Sequence, residues 1–298
     1  MRVFVTGATG FIGSAVVRDL IDGGHRVLGL CRSDAKAAAL AAAGADVLRG
    51  STGDPVCLRE GASVSDGVIH LAFNHDFSKF RENCEEDRRV ILTLGAALAG
   101  TGHPLIVTSG TGIVGTDPGR AATETDTVPE GGAIPRAASE EAAAAVAAEG
   151  GVVSVVRLPQ VHDPVRQGLV SYAIAIFREQ GRCAYVGDGL NRWPAAHVGD
   201  VARLYRLALE RAQPGATYHA VAEEGVIFRD IVETVGQRLD LPVVSIGEEE
   251  APAFFGWLAM FAGHDLPASG AWTRATLGWT PTGPGLIADL KALMPEDL

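Results

Sequence analysis

The stretch Arg2-Val3-Phe4-Val5-Thr6-Gly7-Ala8-Thr9-Gly10-Phe11-Ile12-Gly13-Ser14-Ala15-Val16-Val17 decides the fold. Arg2–Thr6 is a short β-rich run. Three glycines follow, and Ile12, Val16 and Leu20 recur at i, i+4 and i+8, the period of one buried helix face, until Gly23-Gly24 stops it. Gly7 permits a tight turn, Gly10 lets a pyrophosphate approach the backbone, and Gly13 lets the helix pack close to the sheet. The N–H groups of this turn and helix start, Thr9 to Gly13, are placed to hold phosphates. The same glycines would break the apolar region of a signal peptide.

Outward from this unit the alternation continues. Arg26–Cys31, Ala45–Leu48, Gly67–Leu71, Pro104–Thr108 and Val152–Leu158 read as strands. Asp34–Ala43, Glu82–Ala99 and Pro135–Glu149 read as helices. Continuous apolar strands alternating with helices predict a Rossmann-type, doubly wound α/β fold with a parallel sheet covered on both faces. After Pro159 the pattern changes. A helix over Val198–Ala212, a strand over Tyr218–Ala222 and a helix over Phe228–Leu239 precede a tail carrying Phe254, Phe255, Trp257, Phe261, Trp272 and Trp279. The expected division is a dinucleotide-binding domain over 1–160, continued by 194–222, and a smaller substrate lobe from 161–193 and 223–298.

Composition narrows the partners. Lys+Arg is 25 and Asp+Glu 36, a net charge of −11, which excludes the basic footprint of a nucleic-acid binder. Hydrophobic residues at 47% supply a large core and exclude global disorder. No apolar run reaches the roughly 20 residues of a membrane span. Cys31, Cys57, Cys84 and Cys183 are scattered without a C-x-x-C pair, so a reduced, cytoplasmic protein without a metal site is expected, as monomer or homodimer.

The second strand runs into Leu30-Cys31-Arg32-Ser33. An acidic residue there would hold a ribose 2′-hydroxyl; Arg32 and Ser33 suit a 2′-phosphate instead. NADPH is the expected cofactor and NADH the less favoured one, with Asp34 the counterweight two residues on.

Further segments carry a resemblance. Gly53-Asp54 follows the third strand, His70-Leu71-Ala72 ends the fourth, and Val107-Thr108-Ser109-Gly110-Thr111-Gly112-Ile113-Val114-Gly115 looks like an S-S-x-x-V-Y-G segment. Arg157-Leu158-Pro159 and Trp193–Ala202 add two more. With TGATGFIG, these make the chain similar to the extended short-chain dehydrogenase/reductases, the NAD-dependent epimerase/dehydratase-like proteins. The resemblance implies an adenine contact for Asp54 and places Leu71, Ala72, Thr108 and Pro159 along the cofactor. It also exposes a departure. The family uses Tyr-x-x-x-Lys, yet none of Tyr172, Tyr185, Tyr205 and Tyr218 has lysine four positions on. Where that pair is expected the chain has Arg136 and Glu140, and Gly110 takes the family serine's place. In this loss the chain resembles atypical reductases of aromatic polyketides, such as the simocyclinone (angucyclinone) ketoreductase.

Ketone reduction needs a hydride, which the cofactor brings, and a proton on oxygen. His75, after the fourth strand, and His162, after Pro159, are candidate donors. Ser109 and Thr111 suit a hydrogen bond to the carbonyl. Arg136 either anchors an anionic or phenolic substrate or pairs with Glu140, and Asn74, Gln160 and Trp193 are further substrate-side candidates. A phenol on the substrate is the alternative proton source. The expectation is an NADPH-dependent reductase of a carbonyl on a bulky, largely apolar small molecule, aromatic polyketides included. The alternatives are a non-catalytic NADPH-binding redox sensor and an epimerase or isomerase.

Overall fold

In the computed structural model, which describes residues 1–129 and 134–293, the N-terminal run forms strand β1 (Arg2–Thr6) and helix α1 (Phe11–Asp22). Then come β2 (Arg26–Cys31), α2 (Asp34–Ala42), β3 (Asp46–Arg49), α3 (Pro55–Ser63), β4 (Gly67–His70), α4 (Phe80–Leu98), β5 (Leu105–Gly110), α5 (Ala137–Ala148) and β6 (Val153–Leu158). The second half holds β7 (Gln160–His162), α6 (Leu169–Gln180), β8 (Cys183–Val186), β9 (Arg192–His197), α7 (Val198–Arg211), β10 (Thr217–His219), β11 (Glu223–Ile227) and α8 (Phe228–Leu239). Last come β12 (Val243–Ile246), α9 (Ala251–Phe255), α10 (Ala259–Ala262), α11 (Ala271–Leu277) and α12 (Leu286–Ala292).

Seven strands pair in parallel in the order β10-β6-β5-β4-β1-β2-β3. Both faces are covered, and the side-chain period of two explains how. Val3 and Val5 of β1 join the cluster under α1 and α7, while Phe4 joins the opposite cluster under α3, α4 and α5. The order reverses between β4 and β1, so loops leaving those strands diverge and leave a crevice at their carboxyl ends.

Helix α3 was not among the sequence expectations. Its start is nevertheless encoded: Asp54 caps the N–H groups of Val56 and Cys57, and Pro55 occupies the first turn. Boundaries also move by one or more residues, as at β3, α4 and β5. The helix expected from Pro135 begins at Ala137, and the strand expected over Tyr218–Ala222 covers Thr217–His219.

A separate apolar cluster gathers Phe177, Trp193, Phe228, Phe254, Phe255 and Leu258 with α6, α8 and α12. Two small sheets accompany it, β11-β9-β7 and β12-β8. Much of the aromatic content after Pro159 therefore fills core. Trp193 is 2% exposed, donates Nε1–H to the Phe261 carbonyl and packs on Phe228, so it is not the expected substrate contact. Among the described residues, no helix is long and apolar enough to cross a membrane.

The covering helices touch closely at one glycine. A Cβ on Gly95 of α4 would stand 2.3 Å from Cγ2 of Val146 on α5. Gly95→Ala is therefore expected to destabilise the protein. Overpacking costs about 1–3 kcal/mol, whereas alanine gains roughly 1 kcal/mol over glycine inside a helix. Denaturant unfolding should show the loss, and adding Val146→Ala should recover part of it. An unchanged midpoint for Gly95→Ala would mean that the helices part without cost.

Candidate active site

At the end of β1, Gly7 has φ +68°, and a Cβ there would lie 2.8 Å from the Ala72 nitrogen. A Cβ on Gly13 would lie 2.0 Å from the Gly7 carbonyl oxygen. Only glycine fits either position. No side chain caps the start of α1 at Gly10, which is exposed, and Thr9, Phe11 and Ile12 around it are half-buried. The cradle thus offers backbone N–H groups with room for a phosphate beside them, and it fits a dinucleotide.

Arg32 and Ser33 lie exposed beyond β2. Arg32 makes no ion pair among the described residues, whereas Asp34 is held at 2.8 Å by Arg49 from the end of β3. Arg49 escaped the sequence analysis because the edge that brings β2 beside β3 forms only in the sheet. Asp54, expected to face adenine, spends Oδ1 on the cap of α3.

The crevice between β1, β4 and β5 is floored by a buried polar chain. The Leu71 and Ala72 amides donate to Thr6 Oγ1, at 3.2 and 3.3 Å, and Thr6 Oγ1 lies 2.6 Å from His70 Nδ1. His70 Nε2 lies 3.0 Å from Asp87 Oδ1. These partners are all satisfied if Thr6 donates to Nδ1 and His70 donates from Nε2 to the carboxylate. Asp87 Oδ2 accepts from Arg136 Nη1 at 2.6 Å and from Ser139 Oγ at 2.5 Å. Arg136 Nη2 donates to the Thr108 carbonyl at 3.0 Å, and the guanidinium sits 4.1 Å from the Phe73 ring centroid. Thr108 Oγ1 donates to the His70 carbonyl and lies 2.7 Å from the Tyr205 hydroxyl.

Arg136 therefore pairs with Asp87, not with Glu140 as the one-turn spacing suggested. Glu140 belongs to a second chain. It accepts from Ser109 Oγ at 2.7 Å and from two nitrogens of Arg157 at 2.8 Å each, and Arg157 Nη1 reaches His219 Nε2 at 3.3 Å. His219 Nδ1 bonds the Ser269 carbonyl, and burial above all holds this imidazole below its usual pKa. The Ser109 hydroxyl proton is thus committed to Glu140, and that of Thr111 to the Leu158 carbonyl at 3.3 Å.

The remaining expected residues divide. His75 and Asn74 are exposed on the loop after β4, which Asn83 holds by donating to the Asn74 and Asp76 carbonyls. Desolvation by its surroundings, and then the Arg136 charge, push the His75 pKa down. Leu71, Ala72, Thr108 and Pro159 are half-buried at the sheet's carboxyl edge. His162 is wholly buried and bonds Asp289 of α12 at 2.7 Å, so it is no proton donor to a ligand in the crevice. Gln160 is also interior; it ties β7 to the next turn by bonding the Gln167 carbonyl and the Leu169 amide. Sequence reasoning missed Asp87, although the signal was present. It is a carboxylate on the buried stripe of α4, flanked by Cys84, Val90, Ile91 and Leu94.

Burial alone would raise the Asp87 pKa, but the His70 bond and charge, Arg136 and Ser139 outweigh it and hold the carboxyl well below the usual range. A depressed carboxyl stabilises the fold above its unfolded pKa, near 3.8, and loses that contribution as pH falls through the folded value. Asp87→Asn is expected to cost about 3–5 kcal/mol near neutral pH, because it strands a largely buried guanidinium. Its stability should also fall less steeply than the parent's on acidification below 3.8. Parallel stability–pH curves for the two proteins would contradict this account of the carboxylate.

The geometry has counterparts elsewhere. Residues 3–222 match the profile of the NAD dependent epimerase/dehydratase family. The chain is 45% identical to the uncharacterized protein C2A9.02 of Schizosaccharomyces pombe, over 98% of this chain and 99% of that one. It is 31% identical to the 2-alkyl-3-oxoalkanoate reductase of Stenotrophomonas maltophilia, over 72% of this chain and 67% of the reductase. In fold it is similar to DesIV, a dTDP-glucose 4,6-dehydratase of Streptomyces venezuelae solved with NAD, with a TM-score of 0.77 at 22% identity over 98% and 96% of the two chains. The chain belongs to the NAD dependent epimerase/dehydratase family, the extended short-chain dehydrogenase/reductases.

Proposed function

We propose that this chain is an NADPH-dependent reductase of a carbonyl on a bulky, largely apolar substrate, in which Arg136 takes the place of the family tyrosine. The observation that carries the reading is the anchoring of Arg136. Asp87, Ser139 and the Thr108 carbonyl fix three of its N–H bonds at the carboxyl edge of β5. Nε–H and one Nη2–H have no partner among the described residues, and the side chain keeps 13% exposure. Bound NADPH would supply the hydride. Arg136 would donate hydrogen bonds to the carbonyl oxygen and stabilise the negative charge that grows there.

A guanidinium does not release its proton at ordinary pH, so the proton comes from elsewhere. Ser109 and Thr111 already donate to protein acceptors, and desolvation and the Arg136 charge both disfavour the protonated form of His75. These facts favour a hydroxyl of the substrate itself, with an aromatic polyketide phenol as the model. The relative named as a 2-alkyl-3-oxoalkanoate reductase supports carbonyl reduction. Epimerisation is less well supported, because it needs a side chain that takes and returns a proton. A second reading, an NADPH-binding sensor without turnover, is favoured by one observation: the site's hydroxyls and the Glu140 carboxylate are committed within the protein.

Two experiments test the proposal. Arg32→Ala should weaken NADPH binding by about 10- to 150-fold and NADH binding far less, the worth of one charge-assisted phosphate contact. Equal losses for both would remove the NADPH assignment. With NADPH and a panel of aromatic ketones, Arg136→Leu should lower kcat by about 10²–10³ with the NADPH Kd unchanged. Wild-type turnover in Arg136→Leu would refute its role, and NADPH binding without oxidation by any ketone would favour the sensor.

A further inference from the structure

The loop leaving β4 carries Phe73, His75 and Phe77, α4 opens on Phe80, and none of these rings enters the core clusters beneath the sheet. Phe73 lies against Arg136. Phe77 reaches the C-terminal lobe and stacks on Trp257, with centroids 3.8 Å apart and planes 10° apart. Tyr172 of α6 meets both rings edge-on, at 6.1 Å from Phe77 and 5.1 Å from Trp257. Phe261 stands edge-on to Trp257 at 6.5 Å and lies within 3.7 Å of where a Cβ on Gly112 would be, in the turn after β5. Phe80 links Phe73 to Phe77, edge-on to the first at 6.2 Å and stacked with the second at 5.6 Å, so the aromatic cluster joins Arg136 and the loops after β4 and β5 to the C-terminal lobe.

One contact in this cluster differs from the rest. Aromatic pairs prefer offset or edge-to-face arrangements with centroids about 4.5–7 Å apart, because two like quadrupoles repel face to face. The Tyr172 and Phe261 contacts obey this; Phe77 on Trp257 does not. Phe77 is only half-buried, in a three-residue 3₁₀ turn that the Asp76 side chain caps through Ser78. Tyr172 beside it is 40% exposed. A ring conjugated to a carbonyl is poorer in π-electrons than phenylalanine and stacks on indole with less repulsion.

The geometry points to the Trp257 face as the platform for a planar, carbonyl-bearing ring system, with Phe77 an intramolecular stand-in that the ligand displaces. The Phe77 ring shows that the platform accepts a flat ring. Phe73 and Arg136 adjoin the same cluster and supply the polar end that meets the ligand oxygen. This assignment rests on the proposed reduction for the identity of the carbonyl compound, but binding to the platform needs no turnover.

The test measures binding by calorimetry on the full chain with NADP⁺ present, so that no reduction occurs. The probes are α-tetralone, which is flat and aromatic, and α-decalone, its saturated counterpart. Phe77→Ala vacates the platform and should tighten α-tetralone by about 2- to 10-fold, the range expected for one stacking contact. Trp257→Leu should weaken it by a similar factor. Neither change should move α-decalone comparably, and both variants should keep the parent's NADP⁺ affinity. The assignment is overturned if Phe77→Ala weakens α-tetralone or leaves it unchanged. It is equally overturned if the two ketones respond alike, or if neither binds. A chain that binds α-tetralone in this pattern but never oxidises NADPH would lose the reductase reading and keep the platform.

Discussion

Taking the Asp87 carboxylate out of water costs several kcal/mol, and the crevice is arranged to offset that cost. His70, Arg136 and Ser139 all converge on its two oxygens. Because His70 ends β4, Arg136 and Ser139 open α5 and Asp87 sits on α4, one anion fixes how these elements meet. The chain extends through Thr6 at the end of β1 and through the Thr108 carbonyl on β5. The two strands that border the topological switch point, β1 and β4, and their neighbour β5 are thereby tied together by side-chain bonds at their carboxyl ends, in addition to the backbone ladders that join them along their length.

This arrangement also shows what the chain places at the positions where the resemblance expects a tyrosine and a lysine, Arg136 and Glu140. A lysine one helical turn after the tyrosine position would bring a second cation close to Arg136. Glu140 stands there instead and is neutralised by Arg157, a 3% exposed side chain of β6. The two carboxylates, Asp87 and Glu140, each own one arginine. The four charges therefore form two local pairs, which is the condition under which charges survive burial. Among the described residues, the Ser109 and Thr111 hydroxyls are committed donors, while Arg136 keeps two N–H groups without a partner.

The β1–turn–α1 unit, the helical stripes and the parallel sheet were legible in the sequence, because backbone sterics and periodicity are local properties. The glycines at 7 and 13 are the sharpest case: the side-chain-free positions that the turn demands are those where a Cβ would collide with backbone. The loss of Tyr-x-x-x-Lys was equally plain, since it needs only counting. Trp193, Gln160 and His162 were misplaced for a common reason. Each lies in or just after a segment that resembles site-forming sequence, and strand or loop position alone does not say which way a side chain turns.

What the sequence by itself determined is the glycine turn, the doubly wound sheet and that no tyrosine has a lysine four positions on. What only the tertiary structure decided is pairing: Arg136 with Asp87, Glu140 with Arg157, Asp34 with Arg49, and Phe77 with Trp257. These partners lie between 15 and 180 residues apart in the chain. A charge or a flat ring seeks whichever complement the fold brings within a few ångströms. That choice is made by crossover connections and helix packing, which no local pattern records.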